Sequence, residues 1–123
     1  MEYLVIGLGG FLGANARYLV AGWAAQRFGA IFPYGTFIIN ISGSFILGFF
    51  MAFLSDRAFI HPNYRLFFAT GFLGAYTTFS TFTYESLQLL QDGSTLLGFT
   101  NILGSVIAGL VGVFLGFVLG GLF

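Results

Sequence analysis

The chain contains no cysteine, which rules out a disulfide framework and a thiolate metal site. It is also poor in charge. Four basic and four acidic residues make up 7% of its 123 residues and leave a net charge of zero. A soluble domain carries about a quarter charged residues. The balanced, sparse charge argues against nucleic acid or an anionic lipid surface as a partner. No Ser/His/Asp set, metal-ligand cluster or phosphate-binding loop is present, which argues against an enzyme. The lone histidine, His61, stands beside Pro62 in a loop and takes no role. The start Met1-Glu2-Tyr3 has no basic region of the kind that opens a signal peptide, so the first apolar run reads as a retained span. There is no internal repeat, linker or low-complexity tail, and residues 1–123 read as one membrane domain.

What is abundant is apolar surface. Hydrophobic residues make up 58% of the chain, aromatics 20%, and the mean hydropathy is +0.96. A small soluble core has no room for this much apolar surface, so the chain belongs in a bilayer. Four apolar stretches are separated by short polar loops. The first runs from Tyr3 to about Ala25 and is interrupted by Arg17. Its small pairs Gly9/Gly13 and Gly10/Ala14 are spaced for close helix approach. The loop around Arg27, Phe28, Gly29 and Pro33 follows, with Pro33 setting a helix start. The second span runs from about Gly35 to Leu54, with Asn40, Ser44, Gly48 and Ala52 along one face. The third runs from Leu66 to about Leu90, and the fourth from about Thr95 to Phe123. In the fourth, Gly104, Ala108, Gly112, Gly116 and Gly120 form a small-residue stripe suited to helix packing.

The stretch Gly71 to Glu85 departs from an ordinary span. It carries two glycines, a run of threonines and a serine around Phe79 and Phe82. Threonines in series are stiff at χ1, and their hydroxyls compete for backbone groups. The expectation is an all-α membrane protein of four transmembrane helices, the third broken between Gly74 and Phe79. Backbone that leaves the helix at membrane depth must find partners in protein or in a water-filled cavity, so the break is buried and binds something.

Four spans put the N-terminus, the second loop and the C-terminus on one side. Arg57 and Arg65 count toward that side, and Arg17 and Arg27 toward the other. Orientation normally follows an excess of Arg and Lys on the cytoplasmic side, and here the count is even. The balance points to insertion both ways round, with two inverted copies pairing as an antiparallel homodimer, the two-chain equivalent of an inverted repeat. The alternative is a single topology set by something subtler than a count.

Several groups carry more than one reading. Asn40, near mid-span, offers donors and an acceptor either to a neighbouring helix or to a ligand. Asn101 and Ser105 share a face of the fourth span, and Ser105 also has its own helix backbone within reach. Phe79 and Phe82, three apart, serve as core packing or present positive ring edges to an anion. Gly74 and Thr77 flank the break, where free carbonyls can hold a cation or a glycine kink can stay dry. Glu85 is an interfacial carboxylate or part of a vestibule. Arg17, within an apolar segment, faces a cavity or snorkels.

Three segments, taken in order, resemble a known family. They are Gly9 to Tyr18 (Gly-Gly-Phe-Leu-Gly-Ala-Asn-Ala-Arg-Tyr), Pro33 to Gly48 (Pro-Tyr-Gly-Thr-Phe-Ile-Ile-Asn-Ile-Ser-Gly-Ser-Phe-Ile-Leu-Gly) and Gly71 to Phe82 (Gly-Phe-Leu-Gly-Ala-Tyr-Thr-Thr-Phe-Ser-Thr-Phe). They are similar to the Fluc/CrcB fluoride channels, and the likeness covers nearly the whole chain. The resemblance implies an antiparallel homodimer in the microbial inner (plasma) membrane, with two fluoride pores and a central structural sodium held by the broken third helices. It implies that Asn40, Phe79, Phe82 and Ser105 line the pores and that Gly74 and Thr77 give sodium their backbone carbonyls. Ser80, Thr81 and Glu85 match the polar track toward the vestibule, and Thr36 and Arg17 its approaches. At Asn101 the chain departs from the tyrosine that some members carry. The implied function is passive efflux of toxic fluoride. Fluoride is small and tightly hydrated, so a pore must replace its water with many uncharged donors, because a fixed cation in the constriction would trap it.

Two other classes remain open on sequence. A small multidrug-type transporter is also a four-span inverted dimer, but it needs a membrane-buried carboxylate in its first span, and Tyr3 to Ala16 has no acid. A structural or assembly subunit would carry the same glycine stripes.

Overall fold

The computed structural model describes all residues from Met1 to Phe123, and every regular element is helical. Helix α1 spans Glu2–Phe28, α2 spans Tyr34–Leu54, and a short α3 spans Pro62–Arg65. A wider, π-helical segment, Leu66–Leu73, continues from α3 into α4, Gly74–Tyr76; α5 is Ser80–Gln91 and α6 is Thr95–Gly121. Helices α1, α2 and α6 are each long and apolar enough to cross a bilayer. The third span is the assembly of α3, the π segment, α4 and α5, divided by the non-helical residues 77–79.

Local chemistry explains the ends. Pro33 closes the first loop and α2 begins at the next residue, as a proline with fixed φ allows. Helix α1 runs further than its apolar stretch suggests, through Arg27 and Phe28, and stops only at Gly29 with φ 83°. The charge of Arg27 sits in the last turn, where it complements the exposed carbonyls and does not break the helix. Gly93, also at φ 83°, makes the turn between α5 and α6. The His61 ring caps α3, its Nδ1 accepting from the Asn63 amide at 3.1 Å.

Small residues set the helix pairs. Helix α6 lies along α2, and α1 lies along the π segment and α4. A β-carbon on Gly116 would run into the Phe45 carbonyl, and one on Gly13 into the Phe72 carbonyl, so backbone meets backbone at both seams. The expected stripe on α6 divides: Gly112, Gly116 and Gly120 pack on α2, while nothing lies near Gly104. Arg57 ties the far ends of α2 and α6 together. Its guanidinium sits 3.9 Å from the Phe53 ring centre and donates to the Phe53 carbonyl and, at 2.8 Å, to the Phe123 carbonyl.

A small buried apolar cluster is formed by Ile39, Leu73 and Tyr76, flanked by Ala16, Val20, Ala21 and Phe72. It lies directly against the break. Leu103, Ile107, Leu110, Phe114 and Phe117 are exposed along α6, as they must be where the surrounding solvent is hydrocarbon.

Candidate functional site

The site is built around the break. Thr77 leaves the helix with φ −80° and ψ 158°, and regular helix resumes only at Ser80. Two side chains hold this geometry. Asn40 on α2 brackets Thr78: its Nδ2 donates to the Thr78 carbonyl and its Oδ1 accepts from the Thr78 amide, both at 2.9 Å. The amide side chain thus replaces the two backbone partners that Thr78 loses outside a helix. The Thr78 hydroxyl in turn accepts from the Thr81 amide at 3.3 Å and caps α5. Gly43, one turn beyond Asn40, leaves room for the Thr77 methyl, which a β-carbon there would strike. Thr77 itself donates back to the Leu73 carbonyl at 2.9 Å, and Tyr76 is held by Ser42 at 3.0 Å.

Backbone accounting leaves a remainder. The Thr78 amide, which in a continuous helix would bond the Gly74 carbonyl, is taken by Asn40. Among the bonds made outside regular helix, none is donated to the Gly74 or Thr77 carbonyl, and the Thr77 hydroxyl donates to Leu73. Carbonyl oxygens of this kind suit a hard cation, and Gly74 and Thr77 fit that role.

Beside the break lies a cleft of about 380 Å³ that Asn40, Ser44, Thr78, Phe79, Phe82 and Ser105 help to line, and into which Gly74 and Thr77 also open. None of its lining residues is charged. The Phe79 and Phe82 rings stand 6.0 Å apart and tilted by 54°. Phe82 is 8% exposed, whereas Phe79 is 76% exposed and projects from the chain. The sharing of one face expected of this pair is thus modified by the break, since Phe79 precedes the first turn of α5. From α6 the cleft receives the Ser105 hydroxyl, which donates to Asn101 Oδ1 at 3.2 Å. Asn101 Nδ2 donates to Ser86 at 2.8 Å, and Ser86 donates to the Phe82 carbonyl at 2.8 Å.

Thr36 and Glu85 meet in a second cavity of about 280 Å³, together with Gln88 and Asp92. Thr36 lies one turn from Asn40 along α2, and Glu85 lies one turn from Phe82 along α5, so the two cavities follow one another along the same pair of helices. One Glu85 carboxylate oxygen is buried without a partner. Arg17, Ser80 and Thr81 line neither cavity. Arg17 lies midway along α1 with a buried, unpartnered Nε, and so belongs to neither loop that the charge count weighed. Ser80 is exposed, and the Thr81 amide takes the cap bond. Sequence reasoning missed Thr78, Ser86 and the place of Asn101 between Ser86 and Ser105. The spacing of four between Phe82 and Ser86, and between Asn101 and Ser105, was the available signal.

Known proteins match this sequence over most of its length. The family model described as CrcB-like protein, Camphor Resistance (CrcB) matches residues 4–117. A curated protein of Clostridium perfringens, named fluoride-specific ion channel FluC, is 52% identical over 100 residues, which covers 81% of this chain and 78% of that protein. A protein of the same name from Chloroflexus aurantiacus is 48% identical over 117 residues, covering 95% of this chain and 93% of that one. Another, from Acidobacterium capsulatum, is 46% identical over 120 residues, covering 98% and 96%.

Proposed function

Because the chain belongs to the CrcB family, we propose that it is a fluoride-specific channel of the bacterial inner membrane, through which fluoride leaves the cytoplasm down its gradient. It is a channel-family protein and not an enzyme. The observation that carries the reading is the uncharged, largely apolar cleft at the broken third span, where the polar groups of Asn40 and Ser105 and the rings of Phe79 and Phe82 converge. Amide and hydroxyl groups give an anion hydrogen-bond donors, and phenyl edges give it a weak positive field. Neither holds it as a fixed guanidinium would, so the ion can leave as readily as it enters. Thr36 and Glu85 form the approach through the second cavity. Efflux from liposomes tests this. Fluoride should leave far faster than chloride under the same gradient, and equal rates would sink the reading.

The functional unit is an antiparallel homodimer with two pores. Its support is the largely exposed Phe79 beside a cleft open on one side, which an inverted second copy would complete. Tags on the C-terminus should be accessible from both faces of the membrane in intact cells; access from one face only would overturn the inverted pairing.

Sodium is the cation for the free carbonyls of Gly74 and Thr77, drawn from both copies, and its role is structural. When bound it supplies a positive charge near the midplane, which favours anions crossing nearby. Replacing sodium by N-methylglucamine at equal ionic strength should lower the melting temperature of the dimer. An unchanged melting temperature would remove sodium from the assembly.

A further inference from the structure

Ser105 and Val106 are the residues that α6 gives to the cleft, and Ser105 is the polar one. What its hydroxyl offers an ion depends on where its single proton points. In the structure that proton is directed away from the cleft, to Asn101 Oδ1. Only oxygen lone pairs then face the cleft, and these repel an anion.

Asn101 sets this direction. It is 1% exposed and lies outside the cleft lining. The bonds run one way: Ser105 donates to Asn101, Asn101 to Ser86, and Ser86 to the Phe82 carbonyl. Turning the Asn101 amide by 180° exchanges an oxygen and an NH2 of nearly equal size, so the same buried space accepts both orientations. In the turned state Nδ2 donates to Ser105 and Oδ1 accepts from Ser86. The Phe82 carbonyl gives up only a second bond, since it lies inside α5 with a backbone donor four residues on. The Ser105 proton is then free to point into the cleft.

Counting bonds couples the flip to the ion. The unturned state makes three hydrogen bonds without an ion. The turned state makes two, and a third only when an anion accepts from Ser105. We propose that Asn101 is a positioning residue whose amide flip converts Ser105 from an acceptor to a donor toward the cleft, and that fluoride itself supplies the partner that stabilises the turned state. The donor is offered while the ion is present and withdrawn once it has passed, which keeps binding weak enough for conduction. This proposal rests on the channel reading above.

The test is a double-mutant cycle on fluoride efflux from liposomes, with Asn101→Leu, Ser105→Ala and the pair, each checked for the parental elution profile. The amide, in either orientation, holds the Ser105 rotamer whose Oγ makes no bond to its own helix carbonyl at position 101; without the amide the hydroxyl swings to that carbonyl, and the donor is lost as surely as in Ser105→Ala. Each single change should slow efflux about tenfold, the scale of one hydrogen bond to a charged group, and the pair should slow it no further. A pair slowed about a hundredfold by simple multiplication, or Asn101→Leu conducting like the parent, overturns the relay. Should Asn101→Leu not elute as folded protein, Ser86→Ala takes two bonds from the unturned state and one from the turned state, and so shifts the flip equilibrium. It should change efflux when Ser105 is present and not when residue 105 is alanine; an equal change in both backgrounds, or none in either, overturns the relay. A parent that passes no fluoride overturns the channel reading and this proposal together, whereas a conducting parent with independent mutations overturns this proposal alone.

Discussion

Replacing Phe79 and Phe82 together with isoleucine should bring fluoride efflux from liposomes to the level of protein-free vesicles, while the protein keeps the elution volume of the parent. Both rings border the cleft, 6.0 Å apart. Isoleucine keeps the apolar bulk that packs Phe82, and removes the polarised ring edge that faces an anion. The two effects separate cleanly because Phe79 is 76% exposed and carries little of the packing within this chain. Its replacement should therefore leave the fold intact, and any loss of flux from it belongs to the ion path. Efflux at the parental rate would show that the rings are only walls.

Replacing Asn40 with alanine should have the largest effect on the fold. The side chain satisfies both backbone groups of Thr78 at 2.9 Å. Its removal leaves an amide and a carbonyl unpaired at membrane depth, at about 1–3 kcal/mol each, so about 2–6 kcal/mol in all. The Thr78 amide is then free to return to the Gly74 carbonyl and close the break into a helix. Closing it would redirect Phe79, withdraw the carbonyl that fits a cation, and stop conduction. Thermal unfolding in detergent and fluoride efflux check the two halves of this expectation. A variant that melts and conducts like the parent would show that the break is maintained by something other than Asn40.

These two variants also separate what each residue does. Asn40 acts through backbone geometry, so its loss should reach both stability and flux. On the channel reading proposed above Phe79 borders the ion path, so its loss should reach flux alone. The Gly43 contact with Thr77 belongs with Asn40, since it makes space for the same extended residue.

The bilayer class, the four spans and the place of the break were determined by the sequence alone. Each depends on local, additive properties: the length of apolar runs, the positions of Pro33, Gly29 and Gly93, and the threonines that follow Gly74. Such properties act over a few residues and need no knowledge of distant neighbours. The extension of α1 through Arg27 was the local misreading, because one charge in a last turn is compatible with helix. What only the tertiary structure decided was how polar groups pair across elements. Asn40 offered a helix contact or a ligand contact on sequence, and the fold uses its amide on Thr78 while leaving it at the cleft wall. Asn101 and Ser86 are ordinary polar residues in the chain, and become hydrogen-bond partners only because α5 and α6 bring them within 2.8 Å. The physical reason is the direction of a hydrogen bond. Burial and periodicity follow from composition along one helix, but the partner that takes a given proton depends on the relative placement of two, which residues far apart in the chain set together.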